Sequence, residues 1–146
     1  MRIHEVLASK PTGDVVTVKP DATVRELIRV LAEHNIGALV VSVDGSSVDG
    51  IVSERDVVRR LNDDEAILES PVSSIMSPEV QTCGGDATVN ELMLVMTERR
   101  FRHIPVVAED GRLTGIMSIG DVVKSRMSEL QFERDQLDSY VQGSQS

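Results

Sequence analysis

The chain has 146 residues, 40% of them apolar and 27% charged, with a net charge of −9. That length suits one compact domain or two small halves sharing a core, and the acidic balance works against phosphate backbones and anionic membranes as main partners. Phe101, Phe132 and Tyr140 are the only aromatics, so Val, Ile, Leu and Met must build the core, and a row of rings for stacking nucleic-acid bases is missing.

Cys83 is the single cysteine. An intrachain disulfide and a thiol metal cluster within one chain are therefore excluded, and a reducing compartment is expected. A small core residue is the favoured role for Cys83. The start, "MRIHEVLASKP", carries charges early and has no apolar run of signal-peptide length. No stretch approaches the ~20 apolar residues of a membrane span. The expectation is a soluble cytoplasmic protein.

In chain order, Thr17-Val18 opens with a short β-prone run. Thr23-x-x-Glu26 then reads as a capping box, in which the Thr hydroxyl accepts from an early N–H and the Glu reaches back. Behind it Val24, Leu27, Ile28 and Leu31 fall on one helical stripe. The apolar run "IGALVVSV" (36–43) predicts a buried strand, "DGSSVDG" a turn, and "GIVSERDVV" (50–58) a strand entering a second helix. Residues 62–78 form a connection, with Asp63, Asp64 and Glu65 as a solvated charge run.

The order then repeats. Gln81-Thr82 is the short β-prone run, and Thr88-x-x-Glu91 the capping box. Val89, Leu92, Met93 and Met96 form the stripe, "HIPVV" (103–107) the strand, and Asp110-Gly111 a hairpin turn. "GIMSIGDVV" (115–123) is again a strand entering a helix. Shifted by 65 positions, 15 of the 41 residues in 21–61 are identical to those in 86–126. The chain is thus a duplicated β-α-β-β-α unit. From Ser125 to Val141 a helical pattern predicts a C-terminal helix, either folded back on the domain or used as a dimer contact, and "QGSQS" reads as a disordered end.

Two copies of Ser-x-x-Asp stand out, Ser53/Asp56 and Ser118/Asp121. Each Ser can cap a helix and each Asp can favour its first turn. The same position, a strand end opening a helix, also suits a phosphate. Residues alone leave both readings open. The dense cationic cluster is "RRFRH", with Arg99, Arg100, Arg102 and His103. No catalytic constellation is visible: His4, His34 and His103 lack metal-ligand spacing, and no phosphate-binding Gly loop occurs.

The stretches "VTVKPDATVREL…IGALVV…GIVSERDVV" and "VQTCGGDATVNEL…RHIPVV…GIMSIGDVV" resemble a tandem pair of cystathionine β-synthase (CBS) motifs, the Bateman module. The resemblance spans about Ile3 to Arg126, as in a stand-alone CBS-pair protein. It implies an α+β (mixed α/β) fold, with motif 1 at 1–65, motif 2 at 66–127, and a C-terminal helix and tail at 128–146. The two motifs would pack with pseudo-twofold symmetry. It implies a regulatory role without enzyme activity, with AMP, ADP, ATP or S-adenosylmethionine bound reversibly in clefts between the motifs. It also implies a homodimer and an unknown target protein.

On that footing Asp56 or Asp121 would take the ribose diol, since a carboxylate only accepts hydrogen bonds and the diol offers two donors. Ser53 or Ser118 would face the phosphate. Arg102 and His103 are preferred over Arg99 and Arg100 as its cations. Copy one has Gly37-Ala38 at the matching positions and carries Arg55 instead. Thr17, Val18, Gly37, Ala38, Thr82, Ile104 and Pro105 would line the adenine slot. The inequality of the copies leads to the expectation of one tight cleft and one weak or empty one. Two other readings are a dimerising module that binds no nucleotide, with Ser-x-x-Asp serving as caps, and, ranked last, a nucleic-acid-binding CBS protein using "RRFRH".

Overall fold

The computed structural model describes residues 1–10 and 15–144. The elements are α1 (Ile3–Ser9), β1 (Thr17–Val18), α2 (Val24–His34), β2 (Ala38–Val41), β3 (Gly50–Ser53) and α3 (Glu54–Asp63), then two 3₁₀ turns at Glu65–Glu69 and Val72–Ser74. The second set is β4 (Cys83–Gly84), α4 (Val89–Arg99), β5 (His103–Val107), β6 (Leu113–Ser118) and α5 (Ile119–Ser144). Each half holds a three-stranded sheet, in the orders β1-β2-β3 and β4-β5-β6. The first pair of strands in each sheet is parallel and the second antiparallel.

The capping boxes start the helices where the sequence places them. Thr23 accepts from the Glu26 N–H at 3.2 Å, and Thr88 from that of Glu91 at 3.1 Å. Only the second box is reciprocal: Glu91 reaches back to the Thr88 N–H, whereas Glu26 pairs with Arg29. α2 and α4 end on left-handed residues, Asn35 (φ 52°) and Arg100 (φ 59°). The buried stripe of α2 packs with Leu39, Val41 and Val52, and that of α4 with Ile104, Val106 and Met117. These are two separate cores, one under each sheet.

The halves exchange their leading segments. α1 precedes the first copy but places Ile3 and Val6 in the core of the second. Val72 and Ile75 precede the second copy but lie in the core of the first. The backbone bonds match: Ile3 N–H donates to the Ala87 carbonyl, and Val72 N–H to that of Ala22. In each half the incoming segment lays one side chain over the last strand. A Cβ on Gly50 would come 2.6 Å from Met76 Sδ, and one on Gly115 2.8 Å from the Leu7 methyls. Both approaches are too close for a real Cβ, so the Gly of each Gly-Ile-x-Ser motif makes room for the other half's strap.

Several elements differ from expectation. The short strand of copy two is Cys83–Gly84, two residues further along than Gln81-Thr82, because Cys83 and Gly84 are the residues in register with Val106 and Val107. The second helix of copy two and the C-terminal helix are one uninterrupted helix, α5. It does not fold back, since every residue from Leu130 to Gly143 is exposed. Gln142–Ser144 belong to α5 instead of a disordered end, while the last two residues lie outside the described ones. No helix among the described residues is long and apolar enough to cross a membrane.

Candidate functional site

Both Ser-x-x-Asp motifs sit where the last strand of a sheet turns into a helix, and both form reciprocal caps. At β3–α3 the Asp56 N–H donates to Ser53 Oγ at 3.2 Å, and Ser53 N–H and Oγ–H donate to Asp56 Oδ2 at 2.9 and 3.0 Å. At β6–α5 the Asp121 N–H donates to Ser118 Oγ at 3.1 Å and the Ser118 N–H to Asp121 Oδ2 at 2.9 Å. Caps of this kind contribute about 1 kcal/mol each. They also hold each carboxylate in one orientation, beside the first N–H groups of a helix.

The strand partners bring the next residues in. Ala38 is in register with Ser53, and His103 with Ser118. One position earlier, the Gly37 carbonyl accepts from the Glu54 N–H at 2.9 Å and the Arg102 carbonyl from the Ile119 N–H at 2.8 Å. Ala38, Val40 and Pro105 are buried but belong to neither core. They alternate along their strands with core residues, so they lie on the opposite sheet faces, turned away from the helices. The halves meet at this level: a Cβ on Gly37 would lie 3.5 Å from Glu54 Oε1 and 3.8 Å from His103 Cε1.

Lys10 adds a residue that the repeat did not reveal. Its Nζ lies 2.8 Å from Asp121 Oδ2 and donates to the Ile116 carbonyl at 2.8 Å. Burial pushes the Asp121 carboxyl up, but the bonds from Lys10 and Ser118 outweigh it and hold the group below its ordinary value. Burial lowers His103, against the pull of the Asp121 and Glu54 carboxylates, so its imidazole is neutral near pH 7. A cavity of about 200 Å³ between α1 and α5 is lined by Ser9, Lys10, Asp121 and Lys124, among others. That is smaller than the ~300 Å³ at which ligand pockets begin. A nucleotide at Asp121 would therefore need space beyond this cavity.

The sequence candidates thus fall into three groups. Asp121, Ser118, His103 and Arg102 converge at one junction together with Lys10. Asp56, Ser53, Ala38 and Gly37 converge at the other together with Glu54, with Arg55 exposed on the first turn of α3. The remaining lining candidates stand apart. Thr17 and Val18 pair with Val40 and Val41, at the far end of β2 from Ala38, and Val18 is in the first core. Ile104 is fully buried in the second core, and Thr82 lies outside any strand. Arg99 is hydrogen-bonded to Gln81, and Arg100 ends α4. Cys83 packs against the second core, and burial pushes its thiol up to about 11. It is protonated at neutral pH and unsuited to act as a nucleophile. No group of His, Cys, Asp and Glu among the described residues is arranged to hold a metal ion.

Comparison with known proteins agrees with this architecture. The family model described as CBS domain matches residues 3–63 and 72–128. A mitochondrial CBS-domain-containing protein from Arabidopsis thaliana is 34% identical, over 97% of this chain and 72% of its own length. Among solved structures, a CBS-domain-containing protein from Agrobacterium tumefaciens aligns with a TM-score of 0.80 at 44% identity, covering 86% of this chain and 99% of that one. A CBS domain protein from Pyrobaculum aerophilum, complexed with AMP, aligns with a TM-score of 0.70 at 26% identity, over 83% of this chain and 89% of that one.

Proposed function

The chain belongs to the CBS-domain family, and from that premise we propose that it is a regulatory module that binds an adenosine nucleotide of the AMP, ADP or ATP class between its two motifs and signals to a partner protein. In this reading it is not an enzyme, it works as a homodimer, and it resides in the cytoplasm. The AMP complex of the Pyrobaculum aerophilum relative supports the ligand class.

The observation that carries the reading is the convergence at Asp121. A fixed carboxylate accepts the ribose diol. Lys10 and Arg102 supply the positive charge that a phosphate needs, in a chain whose overall field is negative, and the His103 ring, neutral near pH 7, can take up a proton beside a bound phosphate. A sulfonium ligand such as S-adenosylmethionine gains less from those cations. At the other junction Glu54 occupies the first helical position and Ala38 stands in place of His103, so that cleft is the weaker one. Binding regulates only through unequal affinity for two arrangements of the halves or of two subunits.

A second reading has an observation of its own. Both Asp carboxylates are already engaged in caps, as they would be in an interaction module that takes no nucleotide. Isothermal titration with AMP, ADP, ATP and S-adenosylmethionine separates the two, on wild type, Asp121→Asn and Asp56→Asn. The sensor binds AMP, and Asp121→Asn weakens it at least ~10-fold, the scale of one charge-assisted hydrogen bond, while Asp56→Asn has a smaller effect. Absence of heat with every ligand on a folded protein selects the interaction module.

A further inference from the structure

We infer that α5 is a self-pairing helix: two copies of the chain join antiparallel along the apolar seam Val123, Met127, Leu130, Leu137 and Val141. The seam is read from spacing and exposure together. With Arg134, these residues recur at steps of 4, 3, 4, 3 and 4, the heptad alternation of a helix pair. At 3.6 residues per turn they fall within an arc of about 80°. The apolar members are 48 to 65% exposed. The helix is attached to its own domain on a different side, through Val122 and Ser125, which are 1 and 8% exposed.

Beyond Glu129 the helix is exposed at every position from Leu130 to Gly143. A helical stretch of that length is marginal in water by itself, and an apolar seam on it invites a partner. Nearly three heptads are available, which suits a helix pair that joins two already folded bodies.

Charge identifies the partner as a second copy and sets the direction. In a parallel pair Arg134 would face the partner's Arg134, and Glu133 would lie beside the partner's Asp138. Both contacts are repulsive. In an antiparallel pair centred on residue 132, Met127 meets the partner's Leu137 and Val123 the partner's Val141. Arg134 then packs on the partner's Leu130. Lys124 lies beside the partner's Asp138, twice by symmetry. The two Glu133 carboxylates approach near the axis, each next to an Arg134 of the opposite chain. A surface that complements itself about a twofold is what a closed dimer requires.

The inference deepens the homodimer part of the reading above and rests on it. The test uses the full chain in a Cys83→Ser background. Light scattering of the purified protein is expected to give a dimer. Leu130→Glu, at an exposed position, is expected to raise the dimer dissociation constant at least ~100-fold without loss of helical circular dichroism. Met127→Cys and Leu137→Cys are then prepared as separate chains. In the antiparallel pair they form a disulfide-linked dimer only when mixed, and neither links to itself. A wild-type monomer overturns the homodimer and this inference together. A dimer in which either variant links to itself, or in which no linkage forms on mixing, overturns the α5 geometry and leaves the homodimer standing.

Discussion

At the scale of single residues, the Asp121 junction is a balance between burial and pairing. Burial alone would push that carboxyl up, and the Lys10 and Ser118 bonds bring it below its ordinary value. A carboxyl lowered in the folded state contributes stability above its unfolded pKa of about 3.9, and that contribution is lost as pH falls through the folded value. Lys10→Met removes the ammonium but leaves the burial, so the Asp121 titration midpoint is expected to rise. Side-chain carboxyl ¹³C shifts followed over pH read this directly, and an unmoved midpoint would mean that Lys10 does not control the charge. His103 works with the opposite sign of charge. Burial depresses it below 6.5, so its stabilising neutral form is present above that value and is lost as pH falls through the window below it. A phosphate beside it favours the protonated ring. AMP binding near pH 6 is therefore expected to take up a fraction of a proton, seen as a binding enthalpy that varies with the ionisation heat of the buffer. His103→Gln is expected to abolish the variation.

At the scale of elements, the exchanged segments explain two glycines. Gly115→Ala sets a Cβ against Leu7, and Gly50→Ala sets one against Met76. Each is expected to cost about 1–3 kcal/mol, the usual penalty of overpacking. Leu7→Ala combined with Gly115→Ala is expected to recover part of that loss, measured by urea unfolding, because the clash is with the Leu7 methyls. Additive losses would place the glycine's role elsewhere. The helices and hairpins themselves were legible in the sequence, since Val24, Leu27 and Leu31 and their repeats carry a strong period and Thr23 and Thr88 mark the starts. The exchange was not legible, because α1 and the 72–76 segment carry apolar residues that fit either core. Lys10 was missed for the same reason. It lies outside the repeated region, and only the crossing of α1 to the second half brings it to Asp121. The continuity of α5 is not legible in the sequence, because its pattern shifts where domain contacts give way to the exposed seam.

At the scale of the molecule, duplication builds two junctions with the same caps and different charges. The Ser-x-x-Asp geometry is shared almost bond for bond, so capping does not distinguish the halves. Lys10, Arg102 and His103 do, against Glu54 and Ala38 at the other end. His103 and Gly37 also stand where the halves touch. In the proposed reading a ligand seated there alters how the halves sit, and α5, which carries Asp121 in its first turn, would pass the change to a partner. The most direct test is an amide NMR titration of the protein with AMP. The account predicts saturable shifts centred on Lys10, His103 and Ser118–Asp121, with smaller ones at Gly37 and Glu54. No shifts at saturating AMP, or shifts confined to surfaces away from both junctions, would contradict it.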